Sequence, residues 1–137
     1  VFKYPIFGFI IKKYGVIPII RQKIRKAIGS LNMAEEAIKN GISFLISPEG
    51  TRTLNGEIGS FKKGPFHLAK NTNATIVPLA LKGGFRAKKK SDWRVQPGIL
   101  TVVFGKPIES SQFATLSVQE LGELVRNRIL ELKKGSL

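Results

Sequence analysis

Apolar positions along this chain recur in two rhythms, and the rhythms alternate. From Ile24 through Ile28, Leu31 and Ala34 to Ile38, the spacings are four, three, three and four, which is the repeat of one helical face. The Asn40-Gly41 pair that follows is a helix stop, because glycine accepts the left-handed backbone that ends a helix. Gly29 weakens the first half of this stretch, and the pattern predicts a helix that starts near Ser30. "ISFLIS" (42–47), "TIVPLAL" (75–81) and "ILTVVF" (99–104) are short runs that are apolar at nearly every position, as strands buried on both faces are. "VIPII" (16–20) is a further strand, and Pro18 puts it at a sheet edge or a strand end.

Three more stretches predict helices. One opens at Pro5 and stops at Gly15, and "GPFHLAKNT" (64–72) carries Pro65 in its first turn. The third is "SVQELGELVRNRILELKKG" (117–135). There Ser117 and Glu120 have the spacing of a capping box, and Lys133 and Lys134 sit where the helix dipole favours cations. Helices alternating with buried strands predict an α/β layered fold, with a central mixed, partly parallel sheet flanked by helices. At 137 residues the chain is long enough for one core, so 1–137 is read as a single domain. In such sheets, ligands gather at the loops leaving the strands' carboxyl ends. The loop 48–63, with Gly50, Gly56 and Gly59 as its turns, leaves the strand 42–47 in that position.

Charge and composition narrow the chemistry. There is no cysteine, which removes disulfides, zinc–thiolate sites and thiol nucleophiles. His67 is the single histidine and Asp92 the single aspartate, so no metal-ligand spacing exists and no metal is expected. Lys and Arg number 23 against 9 Asp and Glu, a net charge of +14. The partner is therefore anionic: nucleic acid, an anionic membrane surface or a phosphorylated small molecule. No run approaches the roughly 18 apolar residues of a membrane-spanning helix; "PIFGFII" (5–11) is too short, and no signal peptide is evident.

"SPEGTR" (47–52) carries the strongest candidate site. Gly50 lets successive N–H groups converge on one spot, Arg52 can hold a phosphate in bidentate fashion, and Glu49 can orient Arg52 or accept a substrate hydroxyl. The alternative is a surface turn in which Glu49 and Arg52 pair with each other. Lys62 and Lys63 stand beside the start of the 64–72 helix, where free N–H groups favour anions. Gly59 and Gly64 have the glycine spacing of a P-loop, but Pro65 and Phe66 occupy the Lys and Ser/Thr positions, which excludes a nucleoside triphosphate site of that kind. Arg21 follows the strand 16–20. His67 lies between Phe66 and Leu68 with no carboxylate near it in sequence, and it reads as a structural or partly buried histidine. The basic stretch 82–94, with Phe85 and Trp93, suits RNA by charge and stacking, or anionic lipid headgroups with the aromatics at the interface.

Taken in order, "KYPIFGFIIKKYG", "GVIPIIR", "SPEGTR", "GSFKKGPFHLA", "IVPLALKG" and "PGILTVVFGKPI" resemble the lysophosphatidic acid acyltransferase family, the 1-acyl-sn-glycerol-3-phosphate acyltransferases. The resemblance runs from about Phe2 to Ile108. It implies that Arg21, Glu49, Gly50, Thr51 and Arg52 contact the acceptor's phosphate, and that Pro78 shapes the acyl or acceptor pocket. The family's catalytic His-x-x-x-x-Asp block is not in the chain: Thr72 stands five residues after His67. Ser47 replaces the usual Phe of the family's third block, and Ile20 stands where a charged residue is usual. The resemblance implies a catalytic pair upstream of Val1, and a fold incomplete at the N-terminus. It further implies acyl transfer from acyl-CoA or acyl-carrier protein to the 2-hydroxyl of lysophosphatidic acid, no cofactor beyond that co-substrate, and membrane association at the cytoplasmic face. The alternatives are a basic nucleic-acid-binding module, which the resemblance disfavours, and a lipid-binding domain without catalysis.

Overall fold

A helix that passes through a glycine without breaking is the first element met. The computed structural model describes residues 24–89 and 91–135, which form two units that divide between Phe44 and Leu45. In the first, α1 (Ile24–Lys39) is continuous through Gly29 rather than starting near Ser30. One interior glycine costs a helix only about 1 kcal/mol, which the remaining turns absorb. The predicted stop is built as expected. Gly41 has φ 84°, its N–H donates to the Ile38 carbonyl at 2.9 Å, and the Ile42 N–H reaches back to Ala37 at 3.0 Å. These two bonds satisfy carbonyls the helix end leaves open. The helix predicted from Pro5, the strand "VIPII" and Arg21 lie outside the described residues.

The second unit holds α2 (Gly64–Thr72), β1 (Leu79–Lys82), α3 (Gly84–Ala87), β2 (Thr101–Phe104), α4 (Ser110–Phe113) and α5 (Val118–Lys134). β1 and β2 pair antiparallel, with Leu79 opposite Phe104 and Lys82 opposite Thr101. Pairing continues past β2, through Gly105 N–H to the Pro78 carbonyl and a reciprocal bridge between Ile76 and Ile108. This two-stranded ribbon is the sheet of the described residues. The central, partly parallel sheet expected from the strand pattern is not seen among them. The run 42–47 is a correction: it forms no strand, and Leu45 is 82% exposed. A strand exists only by pairing, and no described segment lies alongside this run to accept its backbone groups.

α5 packs across one side of the ribbon and against α2. Its N-terminus is the predicted capping box: Ser117 Oγ accepts from Glu120 N–H at 3.2 Å, and Glu120 Oε2 accepts from Ser117 N–H at 2.7 Å. The Ser117 hydrogen bonds hold the Glu120 carboxyl below the ordinary glutamate range. The cap's contribution is therefore present at neutral pH and is lost on acidification through that depressed value. Phe66, Ile108, Phe113, Leu121 and Val125 form the core, with Phe61 stacked on Phe66 at 6.2 Å between ring centroids. α2 and α5 approach closely because Gly122 faces Phe66; a Cβ there would stand 3.3 Å from the ring. Lys70 on α2 donates to the carbonyls of Phe113, Ala114 and Leu116, tying α2 to the α4–α5 connection.

Leu121 is wholly buried at the centre of this contact. Leu121→Ala is expected to lower unfolding free energy by about 3 kcal/mol, read from the midpoint of urea denaturation followed by circular dichroism.

Candidate anion-binding loop

The "SPEGTR" loop is braced by its own backbone. Gly50 N–H donates to the Ser47 carbonyl at 3.1 Å, closing a turn with Pro48 at its second position, where the ring presets φ. Gly50 leaves the turn at φ 69°, a left-handed conformation that glycine adopts without steric cost. The Pro48 carbonyl then accepts from Lys62 N–H at 2.8 Å. That bond draws the end of the loop, and with it the start of α2, to the base of the turn. Pro48 and Glu49 are thereby brought beside Lys62 and Gly59. Lys62 and Lys63 are exposed, and no side chain caps the helix start that follows them.

Glu49 does not pair with Arg52. Its Oε2 accepts from the Gly59 N–H at 2.9 Å, ten residues further on. The surface-turn alternative, in which the two charges neutralise each other, is therefore not what this loop does. Among the described residues the Arg52 guanidinium has no ion pair or hydrogen bond, and Arg52 is exposed. Glu49 reads as a brace of the loop. A carboxylate offers no donor to a phosphate, whereas Arg52 and the backbone N–H groups do. The Thr51 hydroxyl lies 3.5 Å from the Arg52 carbonyl.

Two residues of α5 complete the brace: Arg126, which the sequence did not mark, and Lys133, which it marked only as a cation at the helix end. Arg126 on α5 donates through Nε to the Gly59 carbonyl at 3.2 Å and through Nη2 to the Ile58 carbonyl at 3.1 Å. Lys133, two turns along, donates to the Gly56 carbonyl. The Gly59 peptide thus receives Arg126 on its carbonyl side and Glu49 on its N–H side. Between them the segment 53–57 is closed by Thr53 and Asn55: Thr53 Oγ accepts from Gly56 N–H at 3.1 Å and Asn55 Oδ1 from Glu57 N–H at 3.1 Å. No local sequence signal points to Arg126, because its partners are 67 and 68 residues away along the chain.

The remaining candidates fall elsewhere. Pro78 is buried beside β1, its carbonyl accepting from Gly105 N–H, and no described contact joins it to the loop. His67 is exposed on α2 rather than partly buried, because it faces away from the side on which Phe66 and Leu68 are buried. Arg21 lies outside the described residues. No three His, Asp or Glu side chains cluster as a metal site among them.

The brace is open to direct test. Glu49→Ala and Arg126→Ala are each expected to speed amide exchange at Gly59 by roughly tenfold, while the Lys62 amide, bonded to Pro48, stays protected. Equal rates at Gly59 in wild type and both variants would remove the brace.

Comparison with known proteins places this geometry. The family model described as Acyltransferase matches residues 1–82. A chloroplastic 1-acyl-sn-glycerol-3-phosphate acyltransferase of Arabidopsis thaliana is 36% identical over 113 residues, covering 82% of this chain and 32% of the plant protein. The 1-acyl-sn-glycerol-3-phosphate acyltransferase of Pseudomonas aeruginosa is 31% identical over 120 residues, 87% of this chain and 46% of the bacterial protein. The chain thus spans less than half the length of either. Among solved structures, the 1-acyl-sn-glycerophosphate acyltransferase PlsC of Thermotoga maritima superposes with a TM-score of 0.68 at 29% identity, over 82% of this chain and 47% of that one. The fold is that of this acyltransferase, and the chain belongs to the acyltransferase family.

Proposed function

We propose that the protein to which this chain belongs transfers an acyl group from acyl-CoA or acyl-carrier protein to the 2-hydroxyl of 1-acylglycerol-3-phosphate, giving phosphatidic acid. The observation that carries the reading is the division of labour in the 47–63 loop. Glu49 is committed to Gly59, and Arg52 is left exposed and uncommitted among the described residues, on a loop whose far end carries the exposed Lys62 and Lys63. A loop built this way presents cationic donors on a fixed backbone, which suits a phosphate monoester. The family resemblance adds Arg21, Gly50 and Thr51 as contacts to the acceptor's phosphate and Pro78 as a residue that shapes the apolar pocket.

In this reading the loop positions rather than reacts. A histidine general base, oriented by an aspartate in the His-x-x-x-x-Asp arrangement, takes the proton from the acceptor hydroxyl. The hydroxyl oxygen forms the new ester bond to the acyl carbon, the carbon–sulfur bond breaks, and the thiolate takes up a proton. No metal or prosthetic group enters these steps. The phosphate cradle contributes by holding the hydroxyl in attack geometry. The chain forms one acyltransferase domain, and the whole protein is built on a central, partly parallel sheet. The domain works on an anionic membrane at its cytoplasmic face, where the net charge of +14 holds it near its lipid substrates.

Two measurements test the reading. The isolated 137-residue chain is expected to show no acyl transfer from acyl-CoA to lysophosphatidic acid, because it carries no His-x-x-x-x-Asp pair. In the whole protein, Arg52→Ala is expected to raise KM for lysophosphatidic acid, lower kcat, or both, reducing kcat/KM by about tenfold or more, as loss of a charge-assisted phosphate contact does. Unchanged kinetics would remove Arg52 from the site.

A further inference from the structure

The segment between α3 and β2 exposes more apolar surface than a solvated loop has reason to. Trp93 is 87% exposed, Val95 73%, Ile99 86% and Leu100 55%. Basic residues precede and interrupt them: Arg86 on α3, then Lys88, Lys89 and Arg94, against the single acid Asp92. That acid is already engaged, since Arg94 Nε stands 3.2 Å from Asp92 Oδ1 and the Arg94 backbone and side chain hold its carboxyl below the usual range. The loop is also built rather than loose. Gln96 N–H donates to the Ala87 carbonyl at 2.8 Å, closing its base. Lys88 donates across the tip to the Asp92 carbonyl. The returning limb is pressed onto Gly83, at φ 83°, where a Cβ would collide with the Ile99 carbonyl. The backbone polar groups at the base are spent inward, while the apolar side chains face solvent.

We propose that the Lys88–Leu100 loop is a membrane-seating element, which inserts Trp93, Val95 and Ile99 into the headgroup region of an anionic bilayer while the exposed Arg86 and Lys89 beside it meet the lipid phosphates. The mixture of side chains selects this partner over nucleic acid. An RNA strand offers faces for Trp93 to stack on, but it has nowhere to bury Val95, Ile99 and Leu100. A bilayer interface takes the indole ring, the aliphatic side chains and the lysines together. The proposal rests on the membrane placement in the acyltransferase reading and adds to it the surface that makes the contact.

Trp93 is the only tryptophan in the chain, so the loop carries its own reporter. Titrating the chain with vesicles of phosphatidylcholine and phosphatidylglycerol is expected to shift Trp93 emission to the blue and to expose it to quenching by brominated acyl chains. Pure phosphatidylcholine is expected to give little shift. In vesicle sedimentation, the paired change Trp93→Ala, Ile99→Ala and the paired change Arg86→Glu, Lys89→Glu are each expected to lower partitioning by about tenfold or more, with unaltered circular dichroism. Sedimentation with anionic vesicles but no change in Trp93 emission would overturn the proposal, because another face would be binding. So would unshifted emission with vesicles accompanied by salt-sensitive quenching with single-stranded RNA. The two readings separate in the whole protein assayed on lysophosphatidic acid in detergent micelles. Trp93→Ala is expected to leave that rate unchanged, and failure of the wild-type protein to turn over there would overturn the acyltransferase reading without touching the loop.

Discussion

The packing of α5 on α2 is the contact on which the rest of the second unit depends. Leu121 fills the centre of the core and Gly122 lets the helix lie against Phe66. Moving that contact by a few tenths of an ångström would move every side chain further along α5. Those side chains include Arg126 and Lys133, which hold the carbonyls of Gly56, Ile58 and Gly59. The helix is therefore both the wall of the core and the back support of the loop that carries the candidate site. A destabilising change in the core and a loss of loop order are consequences of one mechanical link.

The chemistry of the loop follows from where its charges are spent. A loop bearing Glu49, Arg52, Lys62 and Lys63 could have neutralised itself. Gly59 N–H takes the carboxylate instead, and the guanidinium stays uncommitted among the described residues. The cost of fixing the backbone is met by bonds to peptide groups, and Arg52, Lys62 and Lys63 remain exposed. This distribution is what a generic surface turn lacks, and it is why the family resemblance and the local geometry support the same reading of Arg52.

The β1–β2 ribbon has one face against α5 and one face open. Leu81, Val102 and Phe104 share the open face and are exposed, as register dictates once Ala80 and Val103 turn the other way. The alternation of exposure along β2 shows that this is one coherent apolar surface. The 83–100 connection differs in kind, because its apolar residues sit among basic ones on a closed loop. Charge is what distinguishes a surface suited to lipid headgroups from one that is simply apolar.

Residues whose partners lie within a turn or two were legible from sequence alone. The Asn40-Gly41 stop, the Pro65 start of α2 and the Ser117–Glu120 capping box all stand as the local pattern requires, because each is satisfied by bonds spanning five residues or fewer. The ordered motifs around "SPEGTR" likewise identified the family. The fate of 42–47 was not legible, since an apolar run becomes a strand only where a neighbour accepts its hydrogen bonds. α3 and α4 were missed because four residues carry too little periodicity to register. The brace of the site lay furthest from view: Arg126 and Gly59 are 67 residues apart, and only folding α5 across the core brings a guanidinium to that peptide. The sequence by itself determined the helix ends, the charge and the motif loop. The tertiary structure decided which charges are held and which are left exposed, because that choice is made by distance in space and not by order along the chain.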